Sequence, residues 1–203
     1  FTFLSLRFAI TLAILVPITT FLAGKRPPLR LALHSMASGF LVHAVYLGGV
    51  FLAISRGMPA GVAALIVAVQ PLATAFVARL MLGERLNGLQ IAGLLFGLLG
   101  VVLVVAPNLA GSSKVSGIDA LNIVAMVAAV AGISVGAVYQ KRFAAGLDIR
   151  ISTSFQYLGA VVPLWIAALL VEERTVQWTG EFIFALTWLI FVLSMGAVGL
   201  LMW

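Results

Sequence analysis

Of 203 residues, 63% are hydrophobic and 9% charged, and the mean hydropathy is +1.21. So apolar a composition excludes an ordinary soluble domain and points to an integral membrane protein. The net charge of +6 and pI near 10.6 do not indicate nucleic acid, because the basic residues fall in short inter-helix turns without an aromatic-basic stripe. The chain has no Cys, which excludes disulfide and thiolate chemistry.

Apolar runs long enough to cross a bilayer occupy about residues 3–22, 31–54, 59–82, 86–106, 119–140, 152–171 and 182–203. The sequence thus predicts an all-α integral membrane protein with seven transmembrane helices. No basic segment followed by a cleavage site marks a signal peptide. The chain opens on Phe1 rather than Met, and its last apolar run reaches Trp203, so a fragment of a longer protein is expected. Turns after the first, third and fifth runs hold Lys25, Arg26, Arg30, Arg79, Arg85, Lys141, Arg142 and Arg150, whereas the alternate turns hold only Arg56, Lys114 and Arg174. By the positive-inside rule the richer set is cytoplasmic, which puts Phe1 outside and Trp203 inside.

In the first run, Arg7 lies a few residues inside the outer end. Its long stem either snorkels to the headgroups or presents the guanidinium to an internal vestibule. Pro17 reads as a kink, and Lys25-Arg26-Pro27-Pro28 as a rigid connector. The second run is the most polar. His43 and Tyr46 are three apart and share a helical face, while His34 sits near the cytoplasmic entrance. His43 is either a hydrogen-bonded structural residue or a proton sensor. Gly48 and Gly49 permit close helix approach or flexing.

The third run, PAGVAALIVAVQPLATAFVARLML, contains Gln70-Pro71 near mid-span. Proline removes the N–H that would bond the Val67 carbonyl and crowds that carbonyl with its ring, so the helix is expected to break there. Two readings stand: a structural kink, or a discontinuous helix that exposes a carbonyl and an amide to a transporter binding site. In the fourth run Gly93, Gly97 and Gly100 suit packing within a protomer or across a homodimer. Residues 107–118 have linker composition and divide the chain into two parts, 1–106 and 119–203.

The fifth run carries Ala128, Gly132 and Gly136 in small-residue spacing and ends on Tyr139, an interfacial anchor. The sixth opens with Ser154-Phe155-Gln156-Tyr157, similar to Ser5-Leu6-Arg7-Phe8 five runs earlier. A repeat of five spans must be inverted, since an odd count reverses orientation. The seventh run then corresponds to the second, with Trp188 and Met195 facing either lipid or a cavity.

The run from Ile54 to Val105, with mid-span Pro71, the Leu82-Gly83-Glu84-Arg85-Leu86 turn and the Gln90-Ile91-Ala92-Gly93 entry to a glycine-rich helix, resembles the EamA family of the drug/metabolite transporter superfamily. Arg7-Phe8 also fits that pattern. The resemblance is specific over residues 1–106 and weaker over 119–203. It implies a ten-helix fold of two inverted five-helix repeats. Residues 1–106 then supply helices two to five and 119–203 helices six to eight, with one helix before Phe1 and two after Trp203. It further implies a multi-pass protein of the bacterial inner membrane that exports small metabolites, such as amino acids, by alternating access through a cavity between the halves.

No Asp or Glu lies within any predicted span, so uniport, or coupling through His43, fits better than the membrane carboxylate of the small multidrug exporters. Walker, HExxH and GxSxG motifs are absent; no enzyme activity, catalytic residue, metal or cofactor is expected. The expected partners are a small-molecule substrate and the lipid bilayer. His43, Tyr46, Gln70 and Trp188 are the predicted substrate-binding residues, Pro71, Gly48 and Gly49 the conformational ones, and Arg7 the vestibule residue. Competing readings are a seven-helix receptor, against which the missing retinal Lys and Asp-Arg-Tyr motif count, and a noncatalytic membrane assembly protein.

Overall fold

The computed structural model describes residues 1–22, 27–84, 87–109, 118–172 and 176–196. Lys25, Arg26, Arg85, Lys114, Arg174, most of the 107–118 linker, the Met195 side chain and Trp203 lie outside that set. All regular structure described is helical. In chain order it comprises α1 (Thr2–Leu22), α2 (Leu29–Gly39), a π-helical segment (Phe40–Val45), α3 (Tyr46–Ser55), α4 (Ala60–Val67), α5 (Gln70–Leu82), α6 (Gly88–Leu109), α7 (Ala120–Phe143), α8 (Ile149–Val171), α9 (Gly180–Trp188) and a second π-helical segment (Leu189–Gly196).

Four helical runs among the described residues are long and apolar enough to cross a membrane: Leu29–Ser55, Ala60–Leu82, Ala120–Phe143 and Ile149–Val171. The other three predicted spans correspond to shorter apolar helices, Thr2–Pro17, Gly88–Leu103 and Gly180–Val192. Bulky side chains such as Leu89, Phe96 and Leu170 face outward, while Ser5, Thr11, Ser35, Ser38, Asn122, Ser134 and Ser194 are buried. Such an arrangement suits lipid, where small and polar residues rather than hydrophobic exclusion bring helices together.

Local sequence sets the helix ends. Asn87 and Gln90 form a reciprocal capping box at α6, with both side chain to backbone bonds at 2.8 Å. Asp119 Oδ1 accepts from Asn122 N (2.8 Å) at α7, Asp148 Oδ1 from Arg150 N (2.9 Å) at α8, and Thr179 Oγ1 from Phe182 N (3.2 Å) at α9. Gly83 closes α5 at φ +73°, with its N–H on the Arg79 carbonyl, a left-handed cap that a side chain would strain.

Two compact units divide the chain, one formed by Phe1–Phe40 with Phe143–Trp203 and the other by Leu41–Arg142. In the first, α8 is the centre, packed by both α1 and α2. The α1 stripe Leu4, Phe8, Thr11 and Leu15 is buried, as is Tyr157, Ala160, Leu164 and Ala168 on α8. Phe8 and Tyr157 meet ring to ring at 5.0 Å. Backbone meets backbone between α2 and α8: a Cβ on Gly39 would collide with the Gln156 carbonyl, and one on Gly159 with that of Met36. Ser35 and Ser152 hydroxyls lie 3.2 Å apart across that seam, and Gln156 Nε2 donates to Ser152 Oγ at 3.3 Å.

In the second unit Ala53, Met58, Ala63, Ile66, Met126 and Val130 form the core. Helix α7 approaches α3 through Gly49, whose Cβ would lie 2.7 Å from the Ala125 carbonyl oxygen. It meets the first π-helical segment through Gly132 and Gly136, against Leu41, Val42 and Val45. Leu72 of α5 lies over Gly93 and Gly97 of α6, at 3.6 and 3.1 Å from their would-be Cβ atoms. The ends of α7 are tied as well. Arg56 Nε donates to Asn122 Oδ1 (3.0 Å) at one end, and Lys141 pairs with Glu84 (2.9 Å) at the other, where Arg142 also donates to the Met81 carbonyl.

Candidate functional site

Within Leu41–Arg142, the long apolar run Ala60–Leu82 is interrupted at Ala68-Val69, between α4 and α5. Val69 N bonds the Ile66 carbonyl (3.2 Å) and Leu72 N the Val69 carbonyl (3.0 Å), so the spacing tightens to three residues around the proline. Pro71 falls in the first turn of α5, where a missing N–H costs least. Polar groups gather at this break. Ser134 of α7 is 1% exposed; its hydroxyl donates to the Gln70 carbonyl at 3.5 Å and lies 3.2 Å from the Thr74 hydroxyl, which donates to it. Two hydroxyls and the main-chain carbonyl of Gln70, from two helices, thus meet inside an apolar unit.

The predicted residues distribute as follows. Gln70, first residue of α5, is half-buried and accepts the Ser134 hydroxyl on its main-chain carbonyl. His43 belongs to the first π-helical segment and Tyr46 begins α3; both are half-buried. Gly48 is buried, and Gly49 makes the close approach to α7. Pro71 is exposed at the break.

Arg7 and Trp188 belong to the other unit. Trp188, the last residue of α9, is exposed and stacks on Phe184 at 6.1 Å. Arg7 is half-buried. Its Nε and Nη2 both donate to the hydroxyl of Ser194, at 3.3 and 3.2 Å, and its guanidinium carbon lies 5.2 Å from the centroid of the Phe8 ring. Ser194 is 1% exposed and sits in the second π-helical segment, a distortion that often marks function. The guanidinium thus rests between the Ser194 hydroxyl and the Phe8 ring.

Thr74, Ser134, Ser194 and the Ser35–Ser152–Gln156 seam escaped the sequence reading. A lone Ser or Thr in an apolar run carries little signal, because it can bond its own helix backbone, as Thr11 does to the Arg7 carbonyl at 2.8 Å. Only the packing shows which hydroxyls meet another helix. No group of three or more His, Asp or Glu among the described residues is placed to hold a metal.

Residues 1–106 match the sequence model of the EamA-like transporter family. A probable amino-acid metabolite efflux pump of Escherichia coli K12 is 26% identical over 159 residues, which is 77% of this chain and 51% of that protein. The uncharacterized transporter YvbV of Bacillus subtilis is 30% identical over 141 residues, 68% of this chain and 45% of its own. The uncharacterized inner membrane transporter YedA of Escherichia coli K12 is 30% identical over 150 residues, 74% and 46% respectively. The chain thus spans about half the length of the curated relatives it matches. No solved structure gives a significant match. Apolar helices of spanning length together with a family match over more than half of its residues make this a multi-pass membrane protein, and the chain belongs to the EamA-like transporter family.

Proposed function

We propose that this chain forms part of an exporter of small metabolites, amino acids or related compounds, working by alternating access in the bacterial inner membrane. The observation that carries the reading is the polar break at Gln70-Pro71, where Thr74 and Ser134 converge inside an otherwise apolar unit. A discontinuous helix with polar partners at its interruption is a recurring substrate-site device of secondary transporters. Relatives named as an efflux pump and as inner membrane transporters support the class and the location. Gln70, His43 and Tyr46 are the proposed hydrogen-bonding groups for substrate, with Trp188 as a further contact; Pro71, Gly48 and Gly49 accommodate the movement.

An inverted repeat joining 1–106 to 119–203 across 107–118 is part of this proposal. Ser5-Leu6-Arg7-Phe8 and Ser154-Phe155-Gln156-Tyr157 are 149 positions apart (154 − 5), and the two π-helical segments, which begin at Phe40 and Leu189, are also 149 apart (189 − 40). A rare helical distortion that recurs in the register of a sequence match supports common descent of the two parts. The charge asymmetry of the turns favours Phe1 outside and Trp203 in the cytoplasm.

The test is efflux of a labelled metabolite panel from proteoliposomes carrying the complete gene product, comparing wild type with Gln70→Ala, Ser134→Ala and His43→Ala. Saturable export, reduced by about 5- to 150-fold in the Gln70 and Ser134 variants at matched folding, is expected, since losing one buried hydrogen bond is worth about 1–3 kcal/mol. Absence of export for every compound, or variants that export like wild type, would refute it.

A further inference from the structure

We propose that Arg7 and Ser194 form a carboxylate-binding subsite, so that the transported metabolite carries a single carboxylate. The inference rests on the transporter reading above and assigns the substrate's carboxylate to named residues. A charge on an apolar helix is expensive unless it is paired or lines a watered cavity. Arg7 is such a charge, yet no carboxylate pairs with it among the described residues; its hydrogen bonds go to the neutral hydroxyl of Ser194. Both donations converge on one oxygen, and Nη1 has no hydrogen-bond partner among the described residues.

The surroundings hold the guanidinium in place without neutralising it. Phe8, fully buried and packed at a tilt on Tyr157, lies 5.2 Å from its guanidinium carbon, and Ser194 fixes one edge of its fork. A planar guanidinium with free N–H groups is matched in geometry by a carboxylate, which accepts two parallel bonds. Valence selects carboxylate over phosphate dianion: among the described residues the other Lys and Arg side chains, Arg30, Arg56, Arg79, Lys141, Arg142 and Arg150, sit at the ends of helices. One guanidinium balances one carboxylate.

The test uses matched pairs with a common side chain, an amino acid and its carboxamide, on the complete gene product. Two readings are taken: export from proteoliposomes and ligand-induced thermal stabilisation of the purified protein. Wild type is expected to favour the acid by at least tenfold in half-saturation. Arg7→Gln should abolish that preference, Arg7→Lys should retain part of it, and Ser194→Ala should weaken the acid a few-fold while sparing the amide. Because Arg7→Gln can fail to fold, Ser194→Ala and the acid-against-amide preference of wild type stand as independent readouts. Equal handling of acid and amide by wild type, or equal loss of both in the variants, overturns the subsite and leaves the transporter reading intact. Acid-specific stabilisation without export of any compound overturns transport and keeps the subsite; absence of both overturns both.

Discussion

Replacing Gly49 by Ala tests the closest approach in the unit Leu41–Arg142. The added Cβ would lie 2.7 Å from the Ala125 carbonyl oxygen and 3.1 Å from the Ala129 Cβ. Carbon and oxygen settle near 3.4 Å or beyond, so α3 and α7 must part by roughly 0.7 Å, and the first of these obstacles is backbone that cannot rotate away. Overpacking of this kind costs about 1–3 kcal/mol, against a gain of up to about 1 kcal/mol from the higher helix propensity of Ala. Bonds carried by α7 also stretch. The Ser134 to Gln70 bond, already 3.5 Å, is the weakest and goes first. A net destabilisation of about 1–2 kcal/mol follows. Gly61→Ala is the control, because nothing lies within 4 Å of its would-be Cβ. The assay is reversible unfolding in mixed micelles, with SDS as denaturant and tryptophan emission as the signal. A Gly49→Ala midpoint equal to or above that of Gly61→Ala would refute the reasoning.

Two further predictions concern the helix break and pH. Pro71→Ala should lower transport several-fold while shifting stability by less than about 1 kcal/mol, since the proline occupies a first-turn position that tolerates either residue; matched losses of transport and stability would instead assign it to packing. Beyond the end of α8, Glu172 accepts hydrogen bonds from Thr2 N (2.7 Å) and from Thr2 Oγ1 (2.6 Å). Burial works to raise its pKa, but the hydrogen bonds it accepts outweigh burial and hold the carboxyl below its ordinary 4.5. A depressed pKa stabilises the fold above the ordinary value, and that stabilisation is lost as pH falls through the lower folded value. Melting of this chain at pH 7 and pH 3 should therefore show a larger acid-induced drop for wild type than for Glu172→Gln; identical drops would show that the carboxylate contributes nothing.

The break at Gln70-Pro71 was legible because a missing N–H acts locally, whatever surrounds it. The helix starts at Asn87, Asp119, Asp148 and Thr179 follow from equally short-range chemistry, and so does Gly83, whose positive φ closes α5. The glycines of α7 were legible as packing residues, although only the fold shows that Gly132 and Gly136 receive Leu41, Val42 and Val45. Arg7 drew notice as a charge in an apolar run, but its partner 187 residues away did not.

Composition and local pattern, then, determined the membrane class, the positions of the apolar helices, the site of the break and the family, because each depends on residues within a few turns of one another. Tertiary structure decided which hydroxyls act between helices. Ser134 meets Gln70 and Thr74, Ser194 meets Arg7, and Ser35 meets Ser152, whereas Thr11 turns back to its own helix. A hydroxyl in an apolar helix has these two outlets of similar energy, and the choice between them is made by the distance of closest approach between backbones. At the Ser35–Ser152 seam that distance is set by Gly39 and Gly159, far apart in sequence, and it exists only once the helices have packed.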